Sequence, residues 1–207
     1  MAEAGRQMSG IAGLRFDEAG GAVVRLAPAA PRSLVNLRGR LQDAHFVAAV
    51  QKGLGVDLPE SPNRWRAGER VTVLWLGPDE WLLMAPDGEA KGIEAGLREA
   101  VGHDPWLSVV DQSHNYTGLI LSGPASREVL AKGCPLDLHE RSFGPGDCAQ
   151  TLLAHSRVLL RAFGDAGRIE IWVRNSFARY TATWLVDAMA EYGENPMAHL
   201  DHSASPT

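Results

Sequence analysis

The fold is decided by residues 111–138, which read DQSHNYTGLILSGPASREVLAKGCPLDL. The β-branched and aliphatic side chains of residues 117–122 predict a buried strand. Ser122 is predicted to cap a following helix, in which Pro124 occupies the first turn, where its missing N–H is not needed. Gly133 provides a C-terminal stop for that helix. The stretch therefore predicts a strand, a tight turn and a short helix.

A similar stretch occurs earlier in the chain, at residues 36–58, NLRGRLQDAHFVAAVQKGLGVDL. The same offset separates Asp57 from Asp137 and Gly53 from Gly133. Each copy is followed by predicted hairpin strands and then by a longer helix. An internal repeat is informative about the whole fold, and this one predicts two similar halves packed as one globular unit. The alternative is two ordinary strand–turn–helix units that are alike by chance.

The chain divides on this basis into four segments. We predict a flexible N-terminus at residues 1–15, a first half at 16–110, a second half at 111–193 and a flexible tail at 194–207. Each half reads as strand, helix, two or three strands, and helix. This order predicts an α+β protein with mostly antiparallel sheets, each covered by helices on one side.

Two helices carry clear signals. Asp43 is predicted to cap a helix in which Phe46 and later apolar residues recur every four positions. The last helix is predicted to be capped by Asn175 or Ser176. Its apolar stripe, the side that a surface helix turns to the core, consists of Phe177, Tyr180, Trp184 and Ala188.

Composition limits the function classes. The 207 residues are 45% hydrophobic and 22% charged, which is ordinary for a soluble globular protein. The net charge of −5 opposes non-specific binding to nucleic acid, which needs a basic surface. No run of the sequence approaches the length of a membrane span. Cys134 and Cys148 are predicted to be reduced thiols, which indicates a cytoplasmic protein.

Motifs for catalysis and cofactors are missing from the sequence. It contains no GxGxxG entering a helix, no phosphate-binding GK[ST] and no GxSxG. Asp111, Ser113 and His114 have the side chains of a hydrolase triad, but such triads meet in space and rarely in sequence, so we interpret them as polar residues at a strand entry. Ligand-like spacing occurs only around His199–His202, in the predicted tail. We therefore predict no catalytic, cofactor-binding or metal-binding residue.

Arginine and tryptophan are the residues that point to a binding role. A cluster in the last third of the chain forms either a solvated face or a face that docks an acidic partner, and its members are Arg157, Arg161, Arg168, Arg174 and Arg179. Six tryptophans are mostly explained by core packing, but an exposed one would anchor an interface. The predicted interface residues are Arg157, Arg161, Arg174, Arg179 and Trp65.

Four segments together carry a resemblance to a known family. They are LGPDEWLL at residues 76–83, LSGPASREVLAKGCPLDLH at 121–139, FGPGDCAQTLLA at 143–154 and IEIWVRNSFARYTATWLVDA at 169–188. The combination resembles the gamma subunits of heterotetrameric sarcosine oxidases. The resemblance extends over roughly residues 33–193.

The resemblance implies both a fold and a function. The fold would be related to the folate-binding aminomethyltransferase of the glycine cleavage system. The function would be that of a non-catalytic gamma subunit in a complex with alpha, beta and delta subunits. Such complexes oxidise sarcosine to glycine and produce hydrogen peroxide with formaldehyde or 5,10-methylenetetrahydrofolate. FAD, FMN, NAD, tetrahydrofolate and zinc would belong to the partner subunits, and this chain alone would bind none of them.

Two other functions remain open at this point. A stand-alone folate-binding protein of one-carbon metabolism would need a buried carboxylate or amide for the pterin ring, and Asp111, Glu170 and Asp79 are the candidates. A folate-type domain acting on tRNA or in iron–sulfur assembly is a third reading. The sequence pI of about 5.8 and the lack of a cysteine motif argue against it.

Overall fold

The computed structural model of the chain describes Ile11, residues 23–165 and residues 167–192. Apart from Ile11, the predicted flexible segments 1–15 and 194–207 lie outside these ranges, as does the spacing at His199–His202. Among the described residues, no helix combines the length and hydropathy that a membrane crossing needs. The described chain is a mixture of helices and strands, and its strands form two antiparallel sheets, which confirms the predicted fold class.

Fourteen regular elements follow one another along the described chain. The strands are β1 Arg25–Pro28, β2 Arg32–Arg38, β3 Trp65–Ala67, β4 Thr72–Gly77, β5 Glu80–Pro86, β6 Ser108–Asp111, β7 Tyr116–Ser122, β8 Cys148–Leu153, β9 Ser156–Ala162 and β10 Ile169–Arg174. The α-helices are α1 Ala44–Leu54, α2 Ala90–Val101, α3 Ser126–Ala131 and α4 Asn175–Met189.

The two sheets have the same topology. One has the strand order β3-β4-β5-β2-β6 and the other β8-β9-β10-β7-β1. Strands β2 to β5 and helices α1 and α2 correspond in turn to strands β7 to β10 and helices α3 and α4. The internal repeat inferred from the sequence is therefore present as a repeat of topology.

The equivalence fails in chain order at one strand. The edge strand beside β2 is β6, which follows α2 in the chain. The edge strand beside β7 is β1, which comes from the start of the described chain. The described residues consequently form two discontinuous compact units. The β2 unit contains residues 30–113 and 143–150, and the β7 unit contains 23–29, 114–142, 151–165 and 167–192. The predicted halves, 16–110 and 111–193, are contiguous, because sequence similarity alone does not show a strand exchanged between them.

The β2 unit is built around a core between its sheet and helices α1 and α2. The predicted cap of α1 is confirmed, since the Asp43 carboxylate accepts hydrogen bonds from the N–H groups of His45 and Phe46. The Phe46 ring lies 6.2 Å from that of Trp81, and both side chains are fully buried. Together with the aliphatic face of β5, they fill the space that the sequence periodicity assigns to the core.

In the β7 unit, α4 packs on β7 and β10, and α3 packs beside α4. The predicted cap of α3 was wrong: the helix begins at Ser126, with Ala125 as its cap residue. Gly123 adopts a φ of 105°, which lengthens the turn before the helix. The Ser126 hydroxyl instead donates to the carbonyl of Gly167 at 2.6 Å, so it ties the helix start to the turn before β10.

The turn between β8 and β9 contains a strained residue. Ala154 has a φ of 50°, in the left-handed region, where a Cβ crowds the following carbonyl. We expect Ala154→Gly to raise the free energy of unfolding by about 0.5–1 kcal/mol, because the removal of strain outweighs the greater chain entropy of glycine. Urea denaturation measures this change. Asn63, with a φ of 61°, is the control, because asparagine tolerates this conformation and Asn63→Gly should gain less. A loss of stability in Ala154→Gly would contradict the assignment of strain.

Candidate subunit interface

Helix α4 carries two apolar stripes, and the one predicted to face the core is exposed at Phe177 and Tyr180 and covered only towards its C-terminal end. Its buried residues are the smaller set Ala178, Thr181, Ala182, Leu185, Val186, Ala188 and Met189. In contrast, Phe177 is 46% exposed and Tyr180 is 39% exposed. The small side chains allow the helix backbone to approach the sheet closely, so the aromatic stripe is turned away from the core. Two apolar stripes on one helix are the sequence signal for two packing partners, and the described residues of this unit fully cover only the stripe that faces the sheet.

The C-terminal part of the aromatic stripe is covered by the chain itself. Trp184 is half-buried, and a Cβ placed on Gly133 would lie only 2.5 Å from its ring. Trp184 therefore packs over Gly133, directly after α3. Ala188 is buried as the sequence predicted. The exposed aromatic area is thus restricted to the first two turns of α4.

The turn between β8 and β9 borders this exposed area. The His155 ring lies 6.3 Å from the ring of Tyr180, with 37° between the ring planes. Next to it, the Thr181 hydroxyl donates to the Ser156 hydroxyl at 3.0 Å. The strained residue Ala154 therefore holds a turn that presents His155 beside Tyr180.

The start of α4 is fixed by Asn175. Its side-chain oxygen accepts from Thr117 on β7 at 2.5 Å, and its side-chain nitrogen donates to the carbonyl of His114 at 2.5 Å. The guanidinium of Arg174 lies 4.4 Å above the centre of the Tyr116 ring. The predicted cap is wrong: Arg174 is the cap residue, α4 begins at Asn175, and the Asn175 side chain holds β7 instead.

Among the predicted interface arginines, Arg157, Arg174 and Arg179 have exposed side chains. Arg161 differs, because only 7% of it is exposed. Its guanidinium donates twice to Glu170, at 2.6 and 3.1 Å, and lies 4.6 Å from the centre of the Phe163 ring. Arg157 and Arg161 are four residues apart on β9 and therefore lie on one face of the strand. The Glu170 carboxylate on β10 nevertheless holds Arg161 in a buried ion pair. The structure therefore removes Arg161 from the set of surface cations.

Trp65, the remaining predicted interface residue, is half-buried on β3, and its backbone N–H donates to the carbonyl of Gly146. It lines a cavity of about 310 Å³ in the β2 unit. Both arginines that line it are paired within the unit, Arg64 with Asp147 at 2.6 Å and Arg66 with Asp57 at 3.5 Å, and Glu60 lines it as well. Trp65 is thus a wall residue of a cavity whose lining includes charges of both signs.

The residues considered for chemistry have structural partners. The Ser113 hydroxyl donates to Asp111 at 2.5 Å and accepts the N–H of Leu34, so Asp111 and Ser113 hold the end of β6 against β2. Glu170 is engaged by two arginines, and Asp79 is mostly exposed beside Arg38. In the described ranges, no group of three or more His, Cys, Asp or Glu side chains is placed to hold a metal ion.

Similarity to known proteins was found at the level of family, sequence and structure. The family model described as "Sarcosine oxidase, gamma subunit family" matches residues 38–191. The sarcosine oxidase subunit gamma of Corynebacterium sp. strain P-1 is 42% identical over 152 residues, which are 73% of each chain. That of an Arthrobacter species is 41% identical over the same length, again 73% of each chain.

Solved structures give the same family and extend the fold comparison. A chain of the heterotetrameric sarcosine oxidase from Corynebacterium sp. U-96, in complex with pyrrole 2-carboxylate, aligns with a TM-score of 0.79 and 35% identity, and the alignment covers 96% of this chain and 97% of that one. Aminomethyltransferase T of the glycine cleavage system from Bartonella henselae aligns with a TM-score of 0.59 and 19% identity, over 85% of this chain and 49% of that one. The second match concerns the fold alone.

Proposed function

The chain belongs to the sarcosine oxidase gamma subunit family, and from this membership we propose that it is the non-catalytic gamma subunit of a heterotetrameric sarcosine oxidase. The observation that carries the proposal is the structural match to a chain of such an oxidase, which extends over almost the whole of both chains. The partners would be the alpha, beta and delta subunits. The complex would oxidise sarcosine to glycine with hydrogen peroxide as the second product, and the methyl carbon would leave as formaldehyde or 5,10-methylenetetrahydrofolate.

The cofactors of the complex would be held by its other subunits. FAD, FMN, NAD, tetrahydrofolate and zinc are all expected there and none in this chain. Support comes from the described residues: Asp111 and Glu170 are already engaged by neighbours, and two cavities of the β2 unit are lined in part by glycines and by arginines in ion pairs. Cys134 and Cys148 are both buried and form no disulfide, which suits the proposed cytoplasmic location.

Purification of the tagged chain from its native cell tests the function. We expect two large proteins and one small one to copurify, identified by mass spectrometry, with flavin absorbance near the usual ~450 nm band. The matched control is the same purification with the tag on an unrelated acidic protein. Recovery of a colourless single chain, or full oxidase activity in a complex that lacks this chain, would show that it is not the gamma subunit.

The second candidate is a stand-alone folate-binding protein, and the likeness to an aminomethyltransferase fold is what favours it. Titration of the purified chain with tetrahydrofolate, followed by tryptophan fluorescence, separates the two functions. The proposed subunit should show no saturable one-to-one binding by itself. Tight stoichiometric binding would transfer the assignment to the second candidate.

A further inference from the structure

The turn between β5 and α2 contains the only Asp–Gly pair of the sequence, Asp87–Gly88, and the sequence has no Asn–Gly pair. The turn is tight, since the Glu89 N–H donates to the carbonyl of Pro86 at 3.4 Å. Gly88 has a φ of 85°, which glycine adopts without strain. The order Pro-Asp-Gly is typical of such turns. The function proposed above makes no use of this pair.

The pair is open to solvent and loosely held. Asp87 and Gly88 are both exposed, and a Cβ placed on Gly88 would meet no described atom within 4 Å. Within the described residues, the Asp87 carboxylate has no hydrogen-bond or ion-pair partner, and the Gly88 N–H has no main-chain partner. In the turn before β5, by contrast, Asp79 is followed by a larger residue and pairs with Arg38 at 3.7 Å. Asp87 is therefore free to move towards the amide that follows it.

That freedom permits a spontaneous reaction of the main chain. The amide nitrogen of Gly88 attacks Cγ of the Asp87 carboxylic acid; an N–Cγ bond forms, the Cγ–OH bond breaks, and the hydroxyl leaves as water with the amide proton. One water molecule then opens the cyclic imide. Attack at Cγ restores aspartate, whereas attack at the main-chain carbonyl carbon gives isoaspartate. The reaction is intramolecular and consumes no oxidant or cofactor, and the missing Cβ of glycine leaves the nitrogen unhindered.

The chain is anchored on both sides of the pair. Strand β5 is paired with β2 as far as Pro86. The Ser33 hydroxyl accepts the N–H groups of Glu89 at 2.9 Å and Ala90 at 3.1 Å, so it satisfies donors that the start of α2 leaves unpaired. The Glu89 carboxylate also accepts from Arg70 at 2.5 Å. Isoaspartate adds a methylene group to the main chain between these anchors, so the two cannot both keep their geometry.

We propose that Asp87–Gly88 is a site of spontaneous aspartate isomerisation, at which ageing of the folded chain loosens the start of α2. The product carries its free carboxylate on Cα, which makes it a substrate for the protein isoaspartate methyltransferases as a class. Such an enzyme transfers the methyl group of S-adenosylmethionine to a carboxylate oxygen and releases S-adenosylhomocysteine. The inference depends on this chain alone and is independent of the proposed function.

Ageing of the purified full-length chain tests the site. The chain is kept for several weeks at neutral pH and physiological temperature, and isoaspartate is labelled with a methyltransferase and isotopic S-adenosylmethionine. Peptide mapping should place the label on the peptide that contains Asp87, rising with time, and leave the Asp79 peptide at background. The matched variant is Asp87→Glu, which keeps the charge and the turn but would have to close a larger ring. It should stay unlabelled.

Urea denaturation of the aged samples tests the consequence. The aged wild-type chain should have a lower urea midpoint than the fresh one, because the cap of α2 is disturbed, and Asp87→Glu should keep its midpoint. Absence of label at Asp87, or equal label at Asp79, would overturn the site. Label at Asp87 with an unchanged midpoint would overturn the effect on α2. An equal loss of stability in aged Asp87→Glu would assign that loss to another lesion and would also overturn it.

Discussion

Replacement of Glu170 by glutamine is expected to destabilise the β7 unit by about 3–5 kcal/mol, because it leaves a buried guanidinium without its counter-charge. The Glu170 side chain is 5% exposed and that of Arg161 is 8% exposed. The carboxylate also accepts from Arg168 at 3.1 Å and from the indole N–H of Trp172 at 3.3 Å. A single substitution therefore removes the only acidic member of a four-residue hydrogen-bonded group. Urea denaturation of the purified variant measures the loss.

Two further variants separate charge pairing from packing. The double variant Glu170→Leu/Arg161→Leu removes both charges, so it should be less destabilised than Glu170→Gln or Arg161→Leu alone. A buried ion pair can often be replaced by apolar residues. Glu94→Gln is the surface control: it breaks the exposed pair with Arg98 on α2 and should cost no more than about 0.5 kcal/mol. Equal costs for Glu170→Gln and Glu94→Gln would refute the structural role of the buried pair.

Replacement of Trp81 by alanine is expected to lower the stability of the β2 unit by about 3–5 kcal/mol. The side chain is fully buried, packs against Phe46 and donates its indole N–H to the carbonyl of Pro59 at 2.9 Å. Alanine leaves a cavity at the centre of the core and an unpaired carbonyl in the connection before β3. The measurement is the shift of the urea midpoint.

Trp81→Phe removes the indole hydrogen bond but keeps much of the ring volume, so it should lower the free energy of unfolding by about 1–3 kcal/mol. The matched control is Trp106→Ala, where the ring is 58% exposed and stacks only on Arg40, with 4.7 Å from the guanidinium carbon to the ring centre. Exposed substitutions of this kind usually change stability by about 0.5 kcal/mol or less. A similar cost at Trp81 and Trp106 would show that Trp81 does not support the core.

Local signals in the sequence predicted most of the fold. The turn at residues 77–80, the buried strand β5 and the Asp43 cap were correct because each depends on neighbouring residues alone. The pairing of β1 with β7 was not predicted. The partner β7 is remote in sequence, and nothing within Arg25–Pro28 specifies which edge it joins. Pairing of that kind is decided by tertiary packing.

The candidate interface was predicted less well than the fold. The exposed side chains of Arg157, Arg174 and Arg179 are compatible with a solvated face and with a docking face, so their place at an interface stays a prediction. Arg161 pairs with a carboxylate that only the strand register brings opposite it. Phe177 and Tyr180 were assigned to the core because size and hydropathy favour burial. In the structure, α4 packs its smaller residues against the sheet instead. Small residues give a weaker hydropathy signal than aromatic rings.

The strand exchange at β1 also sets an order for folding during synthesis. The strands β2 to β6 pair over short and intermediate sequence distances, and they leave the ribosome before the second sheet exists. Strand β1 is made first, yet Arg25 must wait for Ser122 on β7, which is a contact of high sequence separation and is therefore slow to form. Until then β1 is an unpaired segment of the growing chain, available to chaperones and to wrong partners. Completion of the second sheet is thus a late event in the life of each new subunit.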